Sequence, residues 1–252
     1  MAERGRYLYA VCRDLDVESL GDLRGLGDRP IESVESHGLV GLVSSVDLDE
    51  YGEAGLRRNL EDIDWLESTA RGHDAVVQAA AAVVATAPMR LVTIFNDDDG
   101  VRRRLAERFD RIHALLDRVE GHEEWSVKVL TRAPDPVAES TVAAGSGAEY
   151  LRRRKQDQES RESEMRDAHL VAERVHDALA AFAVASRRLA PQDPRLTGHT
   201  GTMVHNAAYL VPRDLSDRFS AAVGEVVAEY REVQLDARGP WPPYSFAMLE
   251  EE

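Results

Sequence analysis

The sequence predicts an α+β protein with two domains. Short apolar runs that are typical of strands recur along the chain, and longer segments with helical periodicity lie between them. The 252 residues are 43% hydrophobic and 31% charged, the composition of a globular protein large enough for two domains. We place an N-terminal α+β domain at residues 1–121 and a C-terminal domain at residues 122–252.

The first domain is predicted to begin with a strand and a hairpin. Residues 6–12, RYLYAVC, are rich in Tyr and Val and precede a Gly-rich stretch that indicates a loop. The runs IESVES and GLVGLVSSV meet at His37 and Gly38, which predicts two strands joined by a tight turn.

Helical periodicity begins near Gly55 and resumes after a predicted break near Gly72, until Pro88 ends it. The apolar run PMRLVTIF then predicts one buried strand. A single helix follows, with an apolar face formed by Val101, Leu105, Phe109, Ile112, Leu116 and Val119. The aspartates of NDDDG before it indicate a helix cap, because a calcium loop in this register would need Phe95 and Ala106 as ligands.

The second domain shows the element order strand, helix, strand, strand, helix, strand. Its first strand, WSVKVLT, alternates Trp125, Val127 and Val129 on one face. Later strands are predicted in residues 186–189, in TMVHNAAYLVP and in EVQLDA, with an amphipathic helix before the last. This βαββαβ order predicts a modified ferredoxin-like domain, in which the Pro/Gly/Ser-rich residues at about 133–147 form a flexible insertion.

A long helix is predicted to start near Ala148. Its residues 152–164 include no apolar side chain, so this half meets solvent or a polar partner. The basic cluster at its start contains Tyr150, Arg152 and Arg153. It either pairs with glutamates farther along the helix or docks an acidic protein partner.

Composition excludes several classes of protein. The net charge of −15 opposes binding to nucleic acid or to anionic lipid, so we expect neither as a partner. The single Cys12 rules out an internal disulfide and a multi-cysteine zinc site, and its apolar surroundings predict a buried thiol. With no signal peptide and no apolar span of about 20 residues, we expect a cytoplasmic protein.

No pattern of residues predicts catalysis, a cofactor site or a metal site. The sequence has no Gly-x-Ser-x-Gly elbow and no complete phosphate-binding loop. Four histidines in the second half of the chain lack the spacing of a known zinc site, and we interpret them as surface side chains: His169, His176, His199 and His205. The chain is therefore predicted not to be an enzyme.

The run GPWPPYSF is unusual for a chain that is otherwise poor in aromatics. Its three prolines predict an extended, polyproline-like path after the last strand. We expect this stiff segment to pack Trp241, Tyr244 and Phe246 across the domain, with partner contact as the alternative role.

Five stretches, in the same order along nearly the whole chain, resemble the gas vesicle protein F and L family: YLYAV, PMRLVTIF, GAEYLRRRK, NAAYLVP and GPWPPYSF. The resemblance implies a two-domain α+β protein with a modified ferredoxin-like C-terminal domain. It also implies an accessory or minor structural role in gas vesicles, the gas-filled organelles that give buoyancy to some bacteria and archaea. The implied partner is the small hydrophobic main shell protein, bound early in assembly.

Two alternatives stay open beside shell protein binding. The chain could be a scaffold that contacts other accessory proteins, or a small-molecule-binding protein that shares the ferredoxin-like scaffold. For capture of the shell protein itself, strand addition at a sheet edge and binding of an amphipathic helix are both possible.

Overall fold

The computed structural model describes residues 3–132, 147–192 and 201–247. The predicted flexible insertion at about 133–147 falls outside these ranges except for its last residue. Two compact units make up the chain: Met1–Glu123 together with Trp241–Glu252, and Glu124–Pro240. The second unit is thus inserted between two segments of the first, whereas the sequence prediction assigned residues 241–252 to the second domain.

The first unit has seven strands among the residues described. They are β1 Arg4–Arg13, β2 Arg24–Gly25, β3 Arg29–Pro30, β4 Glu32–Ser36, β5 Leu39–Asp47, β6 Thr86–Pro88 and β7 Ile94–Phe95. The main sheet has the order β4-β5-β1-β6, with β7 also paired to β1. β1 is central, and its side chains from Tyr7 to Cys12 are fully buried.

The predicted hairpin is confirmed. β4 and β5 are antiparallel, and the last pair in register is Ser36 with Leu39. His37 and Gly38 form the turn with positive φ angles of 54° and 80°, as a two-residue hairpin loop requires.

PMRLVTIF is not one buried strand, and that prediction is wrong. β6 pairs with β1 at residues 10–12, β7 pairs with β1 at residues 6–7, and the residues between them leave the sheet. The loop stays anchored because Met89 N–H donates to the Tyr9 carbonyl and Leu8 N–H to the Thr93 carbonyl, both at 2.9 Å. Residues 89–93 of this segment lie opposite only residues 8–9 of β1, so the extra residues bulge out of the sheet.

The α-helices within residues 1–123 are α1 Leu48–Tyr51, α2 Glu53–Asn59, α3 Ile63–Val83, α4 Asp98–Glu107 and α5 Phe109–Val119. The predicted break near Gly72 is wrong, since α3 runs through it without interruption. A Cβ at Gly72 would lie 2.8 Å from Leu26 Cδ2. The glycine therefore allows close packing within an intact helix.

The helix predicted over residues 101–119 is two helices. Arg108, with φ −111° and ψ 15°, separates α4 from α5. Its apolar face is nevertheless largely as predicted, with Val101, Leu105, Ile112, Leu116 and Val119 buried. The helix-cap interpretation of NDDDG is confirmed, because Asp97 Oδ1 accepts from Gly100 N–H at 2.7 Å.

The second unit follows the predicted element order. Its elements are β8 His122–Thr131, α6 Gly147–Ala180, β9 Ala185–Arg188, β10 Met203–Pro212, α7 Ser216–Glu229 and β11 Val233–Trp241. The sheet order is β11-β8-β10-β9, and β9 and β10 are antiparallel. Val127, Val175, Tyr209 and Phe219 are fully buried in its core.

The last strand is longer than EVQLDA. β11 continues through Pro240 to Trp241, and the short helix α8 Tyr244–Ala247 begins after two intervening residues. The predicted polyproline-like path is therefore wrong. Pro243 starts a helical turn instead, because its carbonyl accepts hydrogen bonds from the N–H groups of Phe246 and Ala247 at 3.1 and 2.9 Å.

Gly239→Ala is expected to destabilise the second unit by about 1 to 3 kcal/mol, because overpacking forces neighbouring atoms to move. Gly239 has φ 154°, and a Cβ there would lie 2.8 Å from Trp125 Cδ2 and 3.0 Å from the Glu124 carbonyl oxygen. Urea unfolding checks this. The control is Gly224→Ala on α7, where an added Cβ meets nothing within 4 Å; equal stability of the two variants would contradict the prediction.

Candidate partner-binding surfaces

Helix α8 packs within the first unit through two aromatic side chains. Phe246 is only 5% exposed, and the Arg118 guanidinium carbon lies 5.5 Å from its ring centre. The Tyr244 hydroxyl donates to Asp74 Oδ1 at 2.8 Å. These contacts place both residues in packing positions on α5 and α3.

Trp241 differs from the other two aromatics. It is 43% exposed, so the expected burial of this ring is not observed. Successive residues of an extended segment point to opposite sides, and here Pro242 is the one that is buried. Trp241 is consequently available for contact with another molecule.

The start of α6 is a polar helix exposed to solvent. Every residue from 151 to 164 whose side chain is described is exposed, including Arg152. The side chains of Tyr150 and Arg153 lie outside the described part of the structure. At 1.5 Å per residue, residues 147–166 present about 30 Å of helix.

The charges on this half of α6 are partly paired along the helix. Lys155 Nζ lies 3.8 Å from Glu159 Oε1, and Gln158 and Ser160 donate to Glu162 and Glu164. Exposed i,i+4 pairs of this kind contribute only a few tenths of a kcal/mol. They leave the basic turn at Arg152 accessible to an acidic partner.

The prediction of surface histidines is wrong for His205. His169 is exposed, with Nδ1 2.7 Å from the Met165 carbonyl oxygen, and His199 lies outside the described residues. His205 is only 5% exposed because β10 directs it toward α6, where its ring centre lies 5.1 Å from that of His176. Burial, reinforced by the proximity of His176, lowers the pKa of His205 to about 4.

His176 and Tyr209 complete this cluster. The Tyr209 hydroxyl lies 2.8 Å from His176 Nδ1. On the same side, Arg188 donates two hydrogen bonds of 2.6 Å to the Glu173 carboxylate. In the part of the chain that the structure describes, no three His, Cys, Asp or Glu side chains are grouped so that they could hold a metal ion.

The first unit contains a buried polar network that the sequence analysis missed. The Tyr9 hydroxyl accepts from Leu26 N–H at 2.8 Å and lies 2.6 Å from Ser44 Oγ. The Tyr7 hydroxyl accepts from Val92 N–H and lies 3.0 Å from His73 Nδ1. The two tyrosines are two residues apart on one strand and so share a face, a signal that was available in YLYAV.

The aspartates of NDDDG line a cleft of about 420 Å³ together with arginines. Arg6 donates to both Glu32 and Asp98, with a shortest contact of 2.6 Å to Asp98. Arg102 pairs with Asp99 at 2.8 Å. Because guanidinium groups neutralise these carboxylates, we assign them a structural role.

Cys12 is buried, as predicted. Burial raises the pKa of its thiol to about 11, so it is held as an unreactive thiol. Across the described ranges, no helix combines the length and the apolar character needed to cross a membrane.

The elements above define a mixed α+β protein with a long helix that is exposed over its first half and a short final helix that packs on α3 and α5. The family described as gas vesicle synthesis protein GvpL/GvpF matches residues 5–248, and the chain belongs to this family. It is a gas vesicle protein family, as the five short stretches indicated.

Individual relatives agree with this assignment. The chain is 39% identical to gas vesicle protein L of Streptomyces sp. (strain CB03234), covering 99% of this chain and 95% of the relative. It is 29% identical to gas vesicle protein F of the same organism, covering 95% and 98% of the two chains.

Solved structures share the fold. The crystal structure of the gas vesicle protein GvpF from Anabaena sp. PCC7120 superposes with a TM-score of 0.70 at 20% identity, covering 98% of both chains. GvpF from Microcystis aeruginosa gives the same TM-score at 18% identity, covering 97% of this chain and 99% of the other.

Proposed function

We propose that this protein is an accessory or minor structural component of gas vesicles that binds the main shell protein and assists early assembly. The observation that carries the proposal is the family match over residues 5–248. In this role the protein acts by binding and not by catalysis. Its partners are the shell protein and other accessory proteins, and it works in the cytoplasm and at the gas vesicle.

We also propose that the second unit is a modified ferredoxin-like domain within a two-domain chain. The strand order β11-β8-β10-β9 supports this, because it places the first strand of the unit beside the fourth and the third. The two helices of the unit, α6 and α7, share its core. The extension of α6 beyond that core is the modification.

Between the two modes of shell protein capture, the edge strands β4, β9 and β6 favour helix binding. The edge strand β4 carries Glu32 and Glu35, and the edge strand β9 carries Arg187 and Arg188. Charged side chains on short edge strands discourage another strand from pairing. β6 has only three residues and ends in Pro88, which cannot donate a backbone hydrogen bond.

Co-expression with the shell protein tests the proposal. We expect this chain to carry the shell protein into the soluble fraction and to co-purify with it, because a soluble acidic binder covers apolar surfaces that otherwise aggregate. A shell protein that stays equally insoluble with and without this chain, with no complex recovered, would contradict shell protein binding.

The exposed, charged half of α6 favours a second candidate function, that of a scaffold for other accessory proteins. Replacing Arg152 and Arg154 with glutamate reverses the basic turn of α6. If this variant keeps the shell protein but loses an accessory protein, the helix is the scaffold surface. A tightly bound metabolite in native mass spectrometry would instead support the small-molecule-binding alternative.

A further inference from the structure

Two large apolar side chains stand exposed where α2 meets α3. Leu60 is 49% exposed and Ile63 is 75% exposed, the highest value for a large apolar residue in the described part of the chain. We call this place, residues 59–64, the α2–α3 corner. The two residues are three positions apart in sequence, and apolar surface that a folded protein keeps exposed can mark an interaction site.

The backbone of the α2–α3 corner is held by hydrogen bonds. Asp62 caps α3, with Oδ1 accepting from the N–H groups of Asp64 and Trp65 at 3.0 and 3.2 Å. The Asn59 side-chain amide donates to the Glu50 carbonyl at 3.1 Å, and the Trp65 indole N–H donates to Glu50 Oε1 at 2.8 Å. These hydrogen bonds therefore hold the turn that carries Leu60 and Ile63 in one conformation.

Acidic side chains lie beside the two apolar ones. Glu61 and Asp64 are exposed and form no ion pair with another described residue. By contrast, Glu53 and Glu67 on the adjoining helices pair with arginines four residues away. The corner therefore combines apolar surface with uncompensated negative charge, and its complement is apolar surface next to positive charge.

We propose that the α2–α3 corner binds an amphipathic helix whose apolar stripe is flanked by lysine or arginine. Leu60 and Ile63 meet the stripe, while Glu61 and Asp64 meet the flanking cations. This inference rests on the proposed function, since it assigns a binding surface and a chemistry to the captured partner.

A designed peptide tests the surface directly. The probe is an 18-residue amphipathic helix of leucine and lysine, and the readout is fluorescence anisotropy with the full chain. Leu60→Ser/Ile63→Ser is expected to weaken binding by about tenfold or more, as loss of a central apolar anchor does. The matched control is Leu170→Ser/Val184→Ser, which removes side chains of 62% and 58% exposure elsewhere and leaves binding unchanged.

Charge variants distinguish the local effect of the acidic residues at the α2–α3 corner from the effect of the negative net charge of the whole chain. Glu61→Gln/Asp64→Asn and Glu162→Gln/Glu164→Gln change the net charge equally, so only the first pair is expected to weaken peptide binding. Equal weakening by both, or equal binding by the serine variant and its control, overturns the inference. Both serine variants should keep the wild-type Tm, because the replaced side chains are exposed.

The shell protein experiment distinguishes failure of this inference from failure of the proposed function. If the wild-type chain recovers the shell protein and Leu60→Ser/Ile63→Ser does not, the proposed function and the inference about the α2–α3 corner are both supported. If both chains recover it equally, the α2–α3 corner is not the binding surface and the proposed function survives. If neither recovers it, the proposed function fails, and with it the assignment of this surface to that partner.

Discussion

Phe246→Ala is expected to lower the free energy of unfolding by about 3 to 5 kcal/mol, the usual cost of removing a buried phenylalanine ring. The ring is 5% exposed and lies under the Arg118 guanidinium, so its loss leaves a cavity between α8 and α5. Urea unfolding monitored by circular dichroism measures the change.

Trp241→Ala is the control, since it also removes an aromatic ring from the run GPWPPYSF. Because Trp241 is 43% exposed, its replacement should cost about 1 kcal/mol or less. Equal destabilisation by the two variants would show that the run packs as one unit and would contradict the exposed position of Trp241. Lost partner binding by Trp241→Ala at unchanged stability would make this residue part of an interface.

Stability is expected to fall as the pH is lowered from about 6.5 to about 4. Burial lowers the pKa of both His73 and His205 to about 4, below the ordinary histidine value of 6.5. Between these values the unfolded chain binds more protons than the folded one, so the free energy of unfolding decreases as pH falls. Each histidine contributes up to about 1.4 kcal/mol per pH unit.

Urea unfolding at several pH values between 7 and 4.5 measures this slope. His73→Gln should reduce the slope relative to the wild type, because glutamine does not titrate. His169→Gln is the control, as His169 is exposed on α6. A His73→Gln slope equal to that of the wild type would contradict the role assigned to His73.

Periodicity predicted the elements whose pattern depends on one buried face. The apolar face over Val101 to Val119 has residues whose spacing alone identifies the core side, whereas the strand at YLYAV and the hairpin around His37 were predicted from residue types and turn residues. His205 could have been placed the same way, because it alternates with Ala207, Tyr209 and Val211, which belong to the core. Its chemical type, and not its position, suggested a surface residue.

The features that sequence reasoning missed depend on partners far along the chain. The bulge in PMRLVTIF is decided by its register against β1, and the unbroken helix at Gly72 by packing against Leu26. The residues of the run GPWPPYSF were identified, but not which of its rings would be buried. That outcome depends on Asp74 and Arg118, which lie more than 100 residues earlier.

The return of α8 to the first unit has a consequence for synthesis of the protein. Residues 1–123 leave the ribosome before Phe246 exists, so the nascent first unit carries an unfilled position on α5 while the whole second unit is being made. The second unit is continuous in sequence and can complete its core first. The first unit therefore matures only after the second unit has been synthesised.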